Sequence, residues 1–160
     1  MAGHEYRATI VWRRDGEDFS KGRYSRAHEW RFDGGITLAA SASPSVVPKP
    51  YSRDDAVDPE EAFVAALSSC HMLTFLDFAR RTGVVIESYE DEAKGIMERI
   101  APGKMAITRV TLKPRIAFAG AVPEQAKLDE LHHQAHENCF IANSVTTQIV
   151  VEPVNSAAAA

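Results

Sequence analysis

Two cysteines are the residues of this sequence best suited to do chemistry. Cys70 lies in AALSSCHMLTF, residues 65–75, a stretch with no charged side chain, and Cys139 follows 69 residues later in AHENCFIANSV. No CxxC motif is present, which excludes a thioredoxin-type site. Two thiols this far apart in sequence can still meet in space as an attacking and a resolving thiol. Taken alone, Cys70 reads first as packing, because free cysteine behaves as a small buried hydrophobe. Burial raises a thiol's pKa and silences it, so a reactive Cys70 needs a cation. The helix dipole does not supply one, since it acts only over the first turn. His71 is adjacent but projects about 100° away around a helix. An arginine, charged even when desolvated, is the better source. A second chemistry is also spelled out: His132, His136 and Cys139 stand at i, i+4 and i+7 on one helix face. With His71 or Cys70 as a fourth ligand they would make a zinc site. The competing interpretation of that face is a solvated surface with an ordinary histidine pair.

The elements that must position these groups follow from periodicity. Residues 5–13 alternate, with Tyr6, Ala8, Ile10 and Trp12 on one face, as in a half-buried strand. Residues 26–32 place His28, Trp30 and Phe32 on one side, and Asp33-Gly34-Gly35 turns the chain into a strand at 36–40. His28 on this apolar face is expected to be a hydrogen-bonded core histidine, with lining a pocket as the alternative. The proline-bearing segment 41–57 is an ordered, irregular loop of a length that favours function. Asp58, Pro59 and Glu61 form the start of a helix that Arg80, Arg81 and Gly83 close. No charge falls between Glu61 and Asp77, so burial on nearly all sides is expected. Strands follow at 86–100 and 105–118, joined near Pro102-Gly103-Lys104, with Pro114 demanding an edge or a bulge. A second helix opens at Pro123 and runs to about Asn138, and TTQIVVEPV ends the fold as a strand. Trp12, Trp30, Phe63 and Phe75 face the core, His4 is inert, and Asn143 and Ser144 satisfy backbone groups at a turn. The element order gives an α+β fold, with helices over antiparallel sheets. One domain covers residues 1–160: N-terminal strands and Pro-rich loop over 1–57, helices and strands over 58–156, and a frayed tail over 157–160.

Composition narrows the function. The 160 residues carry a net charge of −4, with 45% apolar and 25% charged side chains, as in an ordinary globular protein with a core. No Lys/Arg-rich block occurs, against nucleic-acid binding. The N-terminus has no signal-peptide pattern, and no apolar run approaches the ~18 residues that span a membrane. Two cysteines without a secretory signal point to a reducing compartment, hence a cytoplasmic protein.

DPEEAFVAALSSC, with a second cysteine in AHENC-x-x-x-NS, resembles the OsmC/Ohr family of osmotically induced and organic hydroperoxide resistance proteins, over roughly residues 20–153. The resemblance implies a thiol peroxidase acting on hydrophobic organic hydroperoxides, with Cys70 peroxidatic and Cys139 resolving. It implies that Glu60 orients an N-terminal arginine that activates the thiolate. That arginine is Arg26, which opens the strand of His28 and Trp30, with Arg23 as the alternative. It further implies an intertwined homodimer on a long central helix, no metal or organic cofactor, and an external dithiol reductant such as a lipoylated protein. Helix geometry bears on the same point. Glu60 and Cys70 are about 15 Å apart on one straight helix, so the glutamate and arginine must serve the thiol of another subunit unless the helix breaks. Two departures mark a divergent branch: Phe140 stands where better-known members have proline, and the hairpin at Trp30–Asp33 is longer. A third reading is a non-catalytic binder of a hydrophobic small molecule, with the Pro-rich loop and Tyr51 as its lid.

Overall fold

A capping box starts the long helix. Asp58 Oδ1 accepts the Glu61 backbone N–H at 2.7 Å, and Glu61 Oε2 accepts the Asp58 N–H at 3.4 Å. The helix, α1, then runs unbroken from Pro59 to Arg81. Its far end is a Schellman turn, in which Gly83 N–H donates to Arg80 O and Val84 N–H to Ala79 O. Gly83 sits at φ 79°, a left-handed conformation that a residue without Cβ adopts at no steric cost. These bounds are the ones the sequence predicts. The computed structural model describes residues 3–16, 18–154 and 157–158. The chain divides into two compact units, residues 1–62 and 63–160.

The N-terminal unit is an antiparallel sheet in the order β1-β2-β3, with β1 at Ala8–Val11, β2 at His28–Phe32 and β3 at Thr37–Ala40. The predicted hairpin is present: Gly35 N–H donates to Phe32 O and Phe32 N–H to Ile36 O. Register aligns Ile10, Trp30 and Leu38 in one row across the strands, and residues directly opposite share a face. That apolar row is open, with Ile10 58% and Leu38 37% exposed. The expected half-buried strand over 5–13 is therefore shorter, and Trp12, expected in the core, is exposed. Segment 41–57 is irregular but tied at its ends, since Ser41 N–H donates to Val57 O and Val57 N–H to Ala39 O.

In the C-terminal unit the two long strands expected from periodicity are each cut in half. They become β4 (Ile86–Asp91), β5 (Lys94–Ala101), β6 (Lys104–Leu112) and β7 (Pro114–Phe118). The halves join different sheets: β4 pairs antiparallel with β7, and β5 with β6. Pro114, which has no N–H to give a ladder, opens β7 instead of interrupting a longer strand. Asp91 holds the crossing, because Oδ1 accepts the Lys113 N–H and Oδ2 accepts the Ser68 hydroxyl of α1, both at 2.5 Å. A Cβ at Gly95 would stand 2.7 Å from Val64 Cγ2, so glycine lets β5 run close against α1. The second helix, α2, spans Gln125–Glu137, and β8 (Gln148–Val151) pairs parallel to β6. The short β9 (Ala157–Ala158) runs parallel to β7, and residues 159–160 of the expected tail lie outside the described residues. The fold is the predicted α+β class with antiparallel sheets and two helices, to which β8 and β9 add parallel edges.

Two apolar clusters fill this unit. Phe75, Ala79, Ile116, Phe118, Leu128, Leu131 and Ala135 join α1, β7 and α2. Leu67, Val110 and Leu112 make the other with partly buried neighbours from β6 and β8. Within one chain the buried residues of α1 are a stripe, Leu67, His71, Phe75 and Ala79, while Leu73 is 61% exposed. The helix is also long and apolar enough by composition to cross a membrane, with mean hydropathy 1.5 over 18 residues. That corrects the expectation that no run approaches this length, because a window average tolerates the serines, threonine and histidine that interrupt a strictly apolar run.

Candidate active site

Cys70 and Cys139 are both free thiols, the first half-buried and the second buried. Their meeting follows from two helix stripes. Cys70 precedes His71 of the buried α1 stripe, and the buried face of α2 is Leu128, Leu131, His132 and Ala135. One more step of four residues along that face reaches Cys139, just past the helix. The Cys139 thiol neighbours that of Cys70, and the Ala142 N–H donates to Cys139 Sγ at 3.4 Å. Burial pushes the Cys139 thiol up to about 11; neighbouring Cys70 adds to the rise, while the Ala142 N–H works against it. Cys139 therefore keeps its proton at neutral pH. The pair is asymmetric: a half-buried Cys70 beside a buried, protonated partner. Asn143 Nδ2–H donates to Glu137 O at 2.9 Å and the Ser144 hydroxyl to Phe140 O at 2.7 Å. Both residues thus have the backbone role expected, and they fix the turn that carries Cys139.

The histidines are arranged otherwise than the sequence predicts. His132, assigned to a solvated face, is 6% exposed, and Cys139 is 1% exposed. His132 Nδ1 lies 3.2 Å from His71 Nε2, and the rings are nearly parallel. Burial, reinforced by the charges of His132 and His136, pushes His71 down to about 4 from the ordinary 6.5. Burial does the same to His132, against the pull of Asp129. Among the described residues no three His, Cys, Asp or Glu side chains form a group able to hold a metal. The zinc constellation of His132, His136 and Cys139 does not assemble, because His132 faces His71 while Cys139 faces Cys70.

The arginines and Glu60 belong to the N-terminal unit. Arg23 is bound to Asp18 at 3.1 Å and its side chain is 57% exposed. Arg26 lines a cavity of about 460 Å³ together with Ile10, Trp12, Phe19, Tyr24 and His28. Its guanidinium lies 3.7 Å from the centre of the Tyr24 ring and donates to Gly22 O and Tyr24 O. No carboxylate pairs with it among the described residues, Glu60 included. His28 lines the same cavity, the alternative expected for it; it is hydrogen-bonded but only half-buried, not a core histidine. Its Nε2 accepts the Trp30 Nε1–H at 2.8 Å, which leaves the proton on Nδ1 to donate to Arg26 O at 2.7 Å. Glu60, half-buried, occupies the first turn of α1, which does not break before Cys70.

Two linkages were not foreseen from sequence: the Asp91 bridge from Ser68 to Lys113, and the His71–His132 contact. The second had a signal. Leu128, Leu131, His132, Ala135 and Cys139 recur at helical spacing on one face, which marks His132 as inward.

Comparison with curated proteins gives no match. Among solved structures, an OsmC-like protein of unknown function from Vibrio cholerae is 51% identical over 95% of this chain and 100% of its own, with a TM-score of 0.92. An organic hydroperoxide resistance protein from Elizabethkingia anophelis superposes with a TM-score of 0.66 at 16% identity, over 99% of both chains. One from Bacillus subtilis gives 0.64 at 15%, over 94% of this chain and 98% of that one. The last two show a shared fold. The family model described as OsmC-like protein matches residues 52–154, a segment that contains both thiols and the capped helix, and the chain belongs to that family.

Proposed function

We propose that the protein is a thiol-dependent peroxidase that reduces organic hydroperoxides to alcohols. The observation that carries this reading is the asymmetric thiol pair, a half-buried Cys70 with a buried, protonated Cys139 beside it. The Cys70 thiolate attacks the terminal oxygen of ROOH, the O–O bond breaks, and the alkoxide leaves and takes up a proton as the alcohol. Cys70 is now a sulfenic acid. Cys139 brings its own proton to the next step: its sulfur bonds to Cys70, the S–O bond breaks, and water leaves. An external dithiol, such as a lipoylated protein, then reduces the disulfide by exchange. The chemistry uses no metal or organic cofactor. An organic substrate agrees with the names of structural neighbours in the family.

The activating cation in this reading is Arg26, which pairs with no carboxylate among the described residues, whereas Arg23 is already paired. Glu60 orients it. The unbroken α1 puts Glu60 about 15 Å along the helix from Cys70, which supports a homodimer in which Glu60 and Arg26 of one chain serve Cys70 of the other. The open apolar row of β1–β3 and exposed Leu73 supply surface for that association. A reducing cytoplasm suits two free thiols. The second reading, a non-catalytic binder of a hydrophobic small molecule, rests on the largely apolar cavity around Arg26.

The test is peroxide consumption with dihydrolipoamide, comparing cumene hydroperoxide with hydrogen peroxide. Cys70→Ser should abolish turnover. Cys139→Ser should complete one reaction and accumulate a trappable sulfenic acid on Cys70. Absence of any peroxide-dependent sulfenate at Cys70 would leave the binder as the better reading.

A further inference from the structure

We propose that the His71–His132 hydrogen bond is the brace that sets Cys139 on Cys70, which makes the two imidazoles positioning residues for disulfide formation. The inference rests on reading Cys70 and Cys139 as a redox pair. His71 follows Cys70 directly on α1, and His132 lies seven residues before Cys139 on the same face of α2. The brace therefore joins the two helices next to one thiol and about 10 Å, two helical turns, from the other. It sits between the two apolar clusters. The Phe75 ring, 4.5 Å from that of His132, packs from one side, and Leu67 lies one turn along the α1 stripe on the other.

The bond's polarity follows from what surrounds it. His71 Nδ1 is buried with no partner among the described residues. A buried N–H left unpaired is rarer in proteins than an unpaired acceptor, so Nδ1 is bare and His71 Nε2–H donates to His132 Nδ1. His132 Nε2–H is then left for the cavity of about 300 Å³ that His132 lines with Asp129, His133 and His136. The titratable groups around the pair, among the described residues, are Asp129, His133 and His136 of α2 and Tyr89 of β4, which packs on Phe75; β8 gives that cavity only Ile149 and Val151.

Stability does not require this arrangement. Replacing both partners of a buried hydrogen bond by apolar groups of the same shape is close to neutral. A directional bond does what apolar contact cannot, which is to fix the sliding register of α1 against α2. A disulfide forms only with Cα atoms about 4.4–6.8 Å apart, so register decides whether Cys139 reaches its partner.

The experiment follows closure of the Cys70–Cys139 disulfide in the full chain with diamide, a diazene that takes both thiol hydrogens and is reduced to the hydrazine. The doubly apolar His71→Leu/His132→Leu variant should keep its melting temperature and close up to about a hundredfold more slowly, as a misplacement of the order of 1 Å can cause. His132→Gln, whose amide oxygen can accept from His71, should recover most of the rate. If the double variant does not fold, His132→Met against His132→Gln gives the same comparison: similar size, without and with the acceptor. Closure at the wild-type rate in the Met or doubly apolar variant overturns the brace, and so does failure of diamide to close the wild-type pair. Wild-type closure by diamide without oxidation of Cys70 by cumene hydroperoxide overturns the peroxidase reading and leaves the brace standing.

Discussion

The C-terminal unit contains every fully buried apolar side chain among the described residues except Ala40, while the N-terminal unit leaves Ile10, Trp12, Phe19 and Phe32 exposed. The chemistry divides the same way. Both thiols lie in the unit with two filled cores, neighbours placed by α1, α2 and the turn after α2. Arg26, the cation of the proposed mechanism, lies in the N-terminal unit, held by carbonyls and an aromatic face. A disulfide requires two sulfurs placed to within a fraction of an ångström, which only dense packing enforces. A guanidinium that acts through charge tolerates more latitude, and an uncovered apolar sheet is the kind of element whose final position depends on what comes to cover it.

The largest expected effect tests the first half of that contrast. Phe75→Ala removes a fully buried ring from the junction of α1, α2 and β7 and should destabilise the protein by about 3–5 kcal/mol. Ile10→Ala removes a side chain that is 58% exposed and should change stability by about 0.5 kcal/mol or less in dilute protein. Urea unfolding measures both. An equal, concentration-independent cost for the two would show that the N-terminal sheet has a core of its own and break the comparison.

The next effect is acid sensitivity between pH 7.5 and 4.5, carried by the His71–His132 pair of the C-terminal unit. His71 and His132 are held near 4 in the fold and titrate near 6.5 when unfolded. Between those values the unfolded chain binds protons that the native one does not. Their contribution is therefore complete above pH 6.5 and is lost as pH falls toward 4. A shift of this size corresponds to about 3 kcal/mol for one imidazole, and the two share a hydrogen bond, so the loss should be nearer that than double. Unfolding midpoints at pH 7.5, 5.5 and 4.5 should fall in wild type and fall less in His71→Leu/His132→Leu. Identical pH profiles for the two proteins would remove the histidines from the account.

Much of this contrast was legible in the residues, and the illegible part has a common cause. The Asp58–Glu61 box, the Gly83 stop and the Asp33-Gly34-Gly35 hairpin are local, so short windows announce them. The cysteine segments carry the family. What sequence does not announce is where a chain leaves one sheet for another, because alternation reads straight through Glu92-Ala93 and Lys113 while the partner changes. Only Pro114 marks one of the two crossings. The parallel edge β8 is likewise set by a partner 39 residues earlier in sequence, Arg109 against Gln148. Histidine, polar by composition, hid an inward position that its apolar neighbours on α2 disclose.

A smaller effect separates the two arginines. Arg26→Ala should leave the melting temperature almost unchanged and lower peroxide turnover at neutral pH by about tenfold, close to 1.4 kcal/mol. Arg23→Ala, which breaks an exposed pair with Asp18, should do little to either, as such pairs contribute ~0–1 kcal/mol. Alkylation of Cys70 against pH gives an independent readout, since loss of the cation moves thiolate formation to higher pH. A normal profile in Arg26→Ala with a shifted one in Arg23→Ala would exchange their roles.

The smallest signal is the most selective one, because it asks whether the two units of a single chain serve the same site. If Glu60 and Arg26 act on the Cys70 of a second subunit, Cys70→Ser and Glu60→Ala damage opposite sides of each composite site. In a heterodimer of the two variants, one site combines both defects and the other has neither. Random exchange at equal concentrations makes about half of the dimers mixed, so about a quarter of wild-type activity should return from two inactive preparations, as expected for twofold symmetric dimers. Sites assembled within one chain behave differently: every Cys70 that survives then belongs to a chain that has lost its own Glu60 carboxylate, and mixing restores nothing. Subunit exchange must be confirmed by native mass spectrometry. Exchange without recovered activity, or an active monomer by light scattering, would place Glu60, Arg26 and Cys70 of one chain at the same centre and refute the division of labour between subunits.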